Sequence, residues 1–122
     1  MNLNRRALAL APAWLALAPG ANAQDYPNRP VKVVVGYAAP GGPGTVARAL
    51  SQKLGEILGQ PFVVENRPGA GATLATAQLA RSPADGYTLI VGETSQLVIA
   101  PYTYKNLPYH TLRGLTPIAL VA

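Results

Sequence analysis

The stretch that most constrains this chain runs Val31-Lys32-Val33-Val34-Val35-Gly36-Tyr37-Ala38-Ala39-Pro40-Gly41-Gly42-Pro43-Gly44-Thr45. Four valines in the five residues from Val31 to Val35 suit a strand buried on both faces of a sheet. Proline fixes φ and glycine opens conformations closed to other residues, so Pro40 to Gly44 breaks that strand. From Val46 the spacing of Val46, Leu50, Leu54 and Leu58 predicts a helix. The unit is therefore strand, Gly/Pro loop, helix. A loop of this kind leaves backbone N–H groups free at a helix N-terminus, where aligned peptide dipoles favour an anion. A plain tight βα turn is the alternative, and the rest of the chain decides between them.

The N-terminus reads as a targeting segment. Arg5 and Arg6 precede an apolar run from Ala7 to Ala18, and Ala21-Asn22-Ala23 fits a small-x-small cleavage pattern. Residues 1–23 are thus expected to be a signal peptide, with the mature protein starting at Gln24 in the periplasm. The apolar run is too short for a bilayer and contains Pro12, so no membrane span is expected. The paired arginines fit either the general secretory or the twin-arginine route. Removing the leader leaves 99 residues with a formal charge of +3, enough for one small domain. The basic residues are scattered, which argues against nucleic acid and is compatible with an anionic ligand. With no cysteine, the chain has neither a disulfide framework nor a thiolate nucleophile.

Further along, Gly59 fits a helix C-cap and Pro61 opens a second apolar run, Phe62-Val63-Val64-Glu65. Asn66-Arg67-Pro68-Gly69 makes a turn. A second helix is expected over 70–81, with Leu74, Ala75 and Leu79 inward. Tyr87 to Val91 reads as a third strand. Gln96 to Ala100 reads as one helical turn ended by Pro101, and 117–122 as a fourth strand. Strand, helix, strand, helix, strand is the pattern of an α/β fold with a parallel sheet and right-handed βαβ crossovers. The loops after its strands, Ala39–Thr45, Asn66–Thr73 and Gly92–Gln96, then emerge at one C-terminal edge, where open α/β sheets bind ligands. Three loops offering N–H and hydroxyl donors describe a carboxylate or other anion site.

Catalytic chemistry finds no support in the residue types. His110 is the only histidine and lies in an irregular Tyr/Pro region. None of Ser51, Ser82 and Ser95 sits in a nucleophile elbow, and no cluster has metal-ligand spacing. We expect no catalytic residue, no metal and no cofactor. One rival remains: Gly42-Pro43-Gly44-Thr45-Val46-Ala47 matches G-x-G-x-x-A, with Glu65 about 20 residues on, as in a dinucleotide-binding enzyme. Pro43 and the extra Pro40-Gly41 stiffen and lengthen that turn relative to the fingerprint.

Taken together, several stretches recur in order in one family. They are Tyr26-Pro-x-Arg-Pro30, the Val-rich strand, Pro40-Gly-Gly, Val46-Ala-Arg48, Gly59-Gln-Pro61, Val63-Val-Glu-Asn-Arg-Pro-Gly-Ala-Gly71, Asp85-Gly-Tyr-Thr-Leu89 and Leu107-Pro-Tyr109. The chain resembles the periplasmic solute-binding receptors of tripartite tricarboxylate transporters, also called Bug receptors. The resemblance implies a two-lobed, type II-like periplasmic binding fold of which 24–122 is an incomplete N-terminal lobe. It implies capture of a small organic anion, often a carboxylate, for a membrane permease, without cofactor or catalysis. The family's gripping loops fall on Pro40, Gly41, Gly42 and Thr45, on Gly69, Gly71, Ala72 and Thr73, and on Thr94, Ser95 and Gln96. Three departures stand out. The family's Asp before Val-Ala-Arg is absent, Ala72 replaces the last glycine of Gly-Ala-Gly-Gly, and the chain lacks the second lobe. A remnant that binds nothing is the main alternative to the receptor reading, and a dinucleotide-binding enzyme fragment the second.

The leader reading is directly testable. Mass spectrometry of the processed chain should find Gln24 as its first residue, in the periplasmic fraction. Soluble cytoplasmic protein that keeps Met1 to Ala23 would refute it.

Overall fold

The computed structural model describes residues 25–121. The expected signal peptide and residue 122 lie outside them. Among the described residues, three strands form one parallel sheet: β1 (Val31–Val35), β2 (Phe62–Asn66) and β3 (Thr88–Val91), in the order β2-β1-β3. Central Val33 lies opposite Val64 on one side and Leu89 on the other. Val31, Val34 and Val35 are wholly buried. A strand hydrogen-bonded on both edges and covered on both faces needs compact β-branched side chains throughout, which is why the run reads as nearly continuous valine. The α/β parallel-sheet expectation is met.

Helix α1 (Gly42–Leu58) begins four residues earlier than the apolar spacing predicts. Pro43 is the reason: at the first helical positions its missing N–H costs no hydrogen bond and its φ is already helical, so it starts a helix rather than breaking one. The stripe that packs is also different. Gly44, Ala47 and Ser51 are buried, whereas Leu50 and Leu54 are half-buried and Leu58 is exposed. Small residues let α1 settle close on the sheet, with Val33, Val35 and Ala47 forming a core flanked by Tyr37, Phe62, Val64 and Val91. Gly59 ends the helix in the left-handed conformation, as its position predicts.

A 3-10 turn (Ala70–Ala72) leads into α2 (Thr73–Arg81). Thr73, Ala75, Thr76 and Ala77 are its buried residues; Leu79 is half-buried, and Leu74 points outward, contrary to expectation. After β3 the chain is helical from Thr94, through a π-helical turn (Ser95–Ile99), into α3 (Ala100–Thr103). Pro101 therefore does not end this segment. The widened π spacing carries the chain past it into the first turn of α3, where no N–H is required. A short α4 (Thr111–Gly114) follows. Residues 117–121 form no strand, because no neighbouring strand pairs with them, and Ile118 and Leu120 stand exposed.

Two separated motifs meet in one contact at the opposite end of the sheet. The Tyr26 and Tyr87 rings pack edge to face at 5.2 Å, and the Arg29 guanidinium lies 4.0 Å over the Tyr87 ring. Arg29 also pairs with Asp85 at 2.9 Å. The Tyr26 hydroxyl donates to the Gly86 carbonyl at 2.7 Å, and the Tyr87 hydroxyl donates to Asn28 Oδ1 at 2.9 Å. Gly86 has φ +80, and the Tyr26 ring occupies the space a side chain there would need. The Tyr-Pro-x-Arg and Asp-Gly-Tyr motifs are thus two halves of one clasp that fixes the N-terminal arm to the start of β3.

The core should dominate stability. Val34→Ala empties part of a fully buried site and should cost about 2–3 kcal/mol. Arg29→Ala removes only an exposed cation–π contact and ion pair and should cost about 1 kcal/mol or less. Urea denaturation of the two variants checks the order, and a reversed order would show that the clasp, not the strand, anchors the fold.

Candidate functional site

The parallel sheet sends its three exits to one edge, and the first is the N-terminus of α1. Its cap residue, Gly41, is extended and makes no side-chain capping bond. Pro43 has no N–H, so the first-turn donors without an intrahelical partner are the N–H groups of Gly42 and Gly44. Gly42 is exposed, and a Cβ there would meet nothing within 4 Å. Pro40 is exposed as well. Thr45 is exposed, but its hydroxyl turns back to the Gly41 carbonyl at 3.1 Å, so it organises the turn. The Arg48 guanidinium curls back one turn, where it would meet a Cβ on Gly44 at 3.2 Å, close to the Asn66 amide. It forms no ion pair among the described residues.

The second loop has four consecutive residues at positive φ: Gly69, Ala70, Gly71 and Ala72. For alanine that conformation costs on the order of 1–2 kcal/mol per residue. Its surroundings hold it in place. Ala72 is buried with its methyl group over Gly36, where an added Cβ would come within 2.2 Å. Leu74 occupies the space beside Gly69. Thr73 is buried and donates its hydroxyl to the Ala70 carbonyl at 2.8 Å, while Thr76 donates to the Ala72 carbonyl at 3.0 Å. Ala72 and Thr73 thus shape the loop from beneath, and the backbone at Gly71 is what reaches the surface.

The third exit is Gly92-Glu93 and the helical turn from Thr94. Thr94 and Ser95 are exposed, and the Ser95 hydroxyl shares a 2.6 Å hydrogen bond with the Tyr37 hydroxyl. Gln96 is fully buried; neither end of its side-chain amide has a partner among the described residues, and its backbone carbonyl accepts the Tyr109 hydroxyl at 2.5 Å. An orphaned buried amide is costly, so Gln96 stores an unmet hydrogen-bonding demand directly under the loops. Tyr37 links all three exits: it follows β1, its hydroxyl meets Ser95, and its carbonyl accepts Asn66 Nδ2 at 2.8 Å. Burial pushes the Tyr37 phenol above its ordinary value; Ser95 opposes that shift and Glu93 adds to it, so the hydroxyl stays protonated at neutral pH.

All eleven residues expected at the site lie along this one edge, with Ala72, Thr73 and Gln96 beneath the surface and the others at it. Sequence reasoning missed Tyr37, Arg48, Asn66 and Tyr109. Arg48 had a signal, since i+4 spacing from Gly44 returns its long side chain to the helix start; Tyr37 and Tyr109 had none. Glu65, the acid a dinucleotide fingerprint would turn to a ribose, is engaged with Lys32 at 3.0 Å and with Arg67. Lys32 first, then Arg67, hold its carboxyl below the ordinary range. No group of three or more His, Cys, Asp or Glu that could hold a metal occurs among the described residues. A cavity of about 200 Å³ lies at the edge between α1 and the end of β3, lined by Gly42, Pro43, Val46, Val91, Gly92, Glu93 and Val121. A wider groove of about 510 Å³ between α1 and β2 is lined by none of the eleven.

Comparison with known proteins agrees with this architecture. Residues 46–122 match the model of the tripartite tricarboxylate transporter family receptor. A UPF0065 protein of Bordetella bronchiseptica is 44% identical over 117 residues, covering 95% of this chain and 35% of its own length. Among solved structures, MatC from Rhodopseudomonas palustris with bound malate is 41% identical with a TM-score of 0.75, covering 78% of this chain and 32% of that one. The periplasmic binding protein BugD is 42% identical with a TM-score of 0.65, covering 73% and 29%. The chain spans about a third of the length of the curated relatives it matches.

The close approach of loops one and two gives a sharp test. Gly36→Ala drives a methyl group into Ala72 and should destabilise the protein by about 1–3 kcal/mol. Thermal unfolding at unchanged midpoint would show that the two loops are not in contact.

Proposed function

The chain belongs to the tripartite tricarboxylate transporter receptor family, and on that premise we propose that it binds a small organic anion, a carboxylate, in the periplasm. The family consists of receptors rather than enzymes, and its solved members are periplasmic binding proteins. In this reading residues 1–23 export the chain, and 24–122 form part of the first of two lobes. The bound anion is passed to a membrane permease of the tripartite type. No helix among the described residues is long and apolar enough to cross a membrane.

One observation carries the proposal: the Gly41–Gly42, Gly69–Gly71 and Thr94–Ser95 segments converge on one sheet edge, in a chain 41% identical to a protein solved with malate. The chemistry suits an ionised carboxylate. The N–H groups of Gly42 and Gly44 are unbonded donors at the positive end of a helix of 17 residues. The hydrogen-bonded Tyr37 and Ser95 hydroxyls add polar groups at the same edge. Arg48 adds a cation over the same turn. Charge-assisted hydrogen bonds of this type are the strong ones.

Gly42 supplies the test. A side chain there meets nothing in the fold but stands in front of the first-turn donors. In the full-length polypeptide, Gly42→Val should leave thermal unfolding unchanged and weaken dicarboxylate binding by at least about a hundredfold, the loss of two charge-assisted bonds. Calorimetry with malate and other dicarboxylates checks this, and unchanged affinity in a folded variant would move the site away from the α1 N-terminus.

A further inference from the structure

Among the described residues, β2 is hydrogen-bonded to one neighbouring strand only, β1. In a parallel ladder alternate residues turn their backbone groups to the same side. The Pro61 carbonyl accepts from the Val31 N–H and the Arg67 N–H donates to the Val35 carbonyl, so Val63 and Glu65 between them also face β1. Phe62, Val64 and Asn66 therefore aim their N–H and C=O groups away from the sheet. Little blunts this edge. Its register is continuous, neither lysine nor proline lies between Phe62 and Asn66, and its one charge, Glu65, is neutralised by Lys32 and Arg67. The opposite edge differs, since Val121 lines a cavity with Val91 and Gly92 at the end of β3. Along β2 runs the groove of about 510 Å³, walled by Arg48, Gln52 and Gly55 of α1 and by Phe62 and Val64. Val63, on the other face of the strand, is exposed.

An edge of free N–H and C=O groups is completed by another extended strand. We propose that this one is completed by β2 of a second copy of the chain, antiparallel about a two-fold axis at Val64. With Val64 facing its own counterpart, Phe62 faces the partner's Asn66, and each such pair exchanges N–H and C=O. On the other face Val63 stands opposite the partner's Glu65, so no charge meets its like directly across the pair. The axis runs perpendicular to the sheet, which keeps both α1 helices on one face, antiparallel, above the joined grooves. Arg48, Gln52 and Glu56 follow one stripe of α1 at i, i+4 spacing. An antiparallel copy therefore sets the Arg48 end of one helix against the Glu56 end of the other. Gly55, without a side chain, lets the two helices approach. Ladder and charge are both self-complementary, and that selects a second copy over an unrelated strand.

Sedimentation equilibrium of the full-length polypeptide over a wide concentration range tests this, together with amide hydrogen exchange. A reversible monomer–dimer equilibrium is expected. On dimerisation the Phe62, Val64 and Asn66 amides should become protected, while the Val63 and Glu65 amides, bonded to β1, are slow in both states. Val64→Pro removes an outward N–H and spares the bonds to β1, and should weaken association at least about tenfold. Glu56→Arg changes an exposed side chain and sets like charges together across the helices; it should weaken association at least about twofold, more at low salt. If Val64→Pro does not fold, the exchange pattern and Glu56→Arg decide. A polypeptide that stays monomeric would overturn the proposal. So would outward amides already protected in the monomer, which would show that the rest of the chain covers the edge. A dimer that leaves those amides unprotected, or that forms equally well in every folded variant, would place the interface elsewhere and overturn it too.

Discussion

Everything in this fold depends on β1 being paired on both sides. A strand with a parallel neighbour at each edge has no exposed backbone, and its side chains lie between layers rather than at a surface. Its valines supply the burial, and their branching suits the extended backbone. The parallel arrangement then has a geometric consequence. Each strand must be reached from the same end, so each leaves at the same end, and three stretches separated by some 25 residues of chain in each case arrive together. The site is a product of that topology before any particular side chain is considered. Burial of Val31, Val34 and Val35 and convergence of the Gly-rich loops are one fact seen at two levels.

The small residues around this strand serve the same end. Gly36 has no room for a methyl group because Ala72 already fills it, and Gly44 leaves space for the Arg48 guanidinium. Ala47 and Gly44 are buried where the leucine stripe was expected to pack. Close approach of backbone to backbone brings the end of β1 against the second loop. The cost is local: Ala70 and Ala72 sit at positive φ, a conformation in which glycine would be unstrained. Buried contact at Ala72 compensates, since its methyl group packs where a glycine would leave a void.

These points explain what was legible in the sequence. The β1 run, the two crossovers, the Gly59 cap and the common edge all follow from patterns whose physics is local, such as valine enrichment, glycine at a helix end and alternation of element types. The start of α1 at Gly42 was hidden because Pro-Gly-Pro-Gly reads as a breaker until the position of proline within the first turn is known. Leu74 was placed inward because its spacing fits a helix face, whereas the sheet packs against Ala75 and Thr76 and leaves Leu74 to cover Gly69. The apolar run at 117–121 has strand composition but no strand beside it, and composition cannot provide a neighbour. Of the site, the backbone loops were legible and the residues that bind them together were not. Tyr37, Asn66 and Tyr109 act through contacts between residues 13 to 58 positions apart.

The two ends of the sheet differ in how their polar groups are paired. At the entry end of β3 the polar side chains of the clasp pair with one another: Arg29 with Asp85 and the Tyr87 ring, Tyr26 with the Gly86 carbonyl, Tyr87 with Asn28. At the exit end the accounts stay open. Among the described residues, the first-turn N–H groups of α1 have no side-chain cap, Arg48 and Glu93 form no ion pair, and the Gln96 side-chain amide has no hydrogen-bond partner. Buried polar groups are ordinarily matched, and among the described residues the Ser51 and Thr111 hydroxyls are unmatched as well as the Gln96 amide, so it is the exposed donors at the exit end that set it apart. That contrast between the two ends supports the C-terminal edge as the place of the proposed anion site, because only there, among the described residues, do helix-start donors, hydroxyls and an unpaired guanidinium come together.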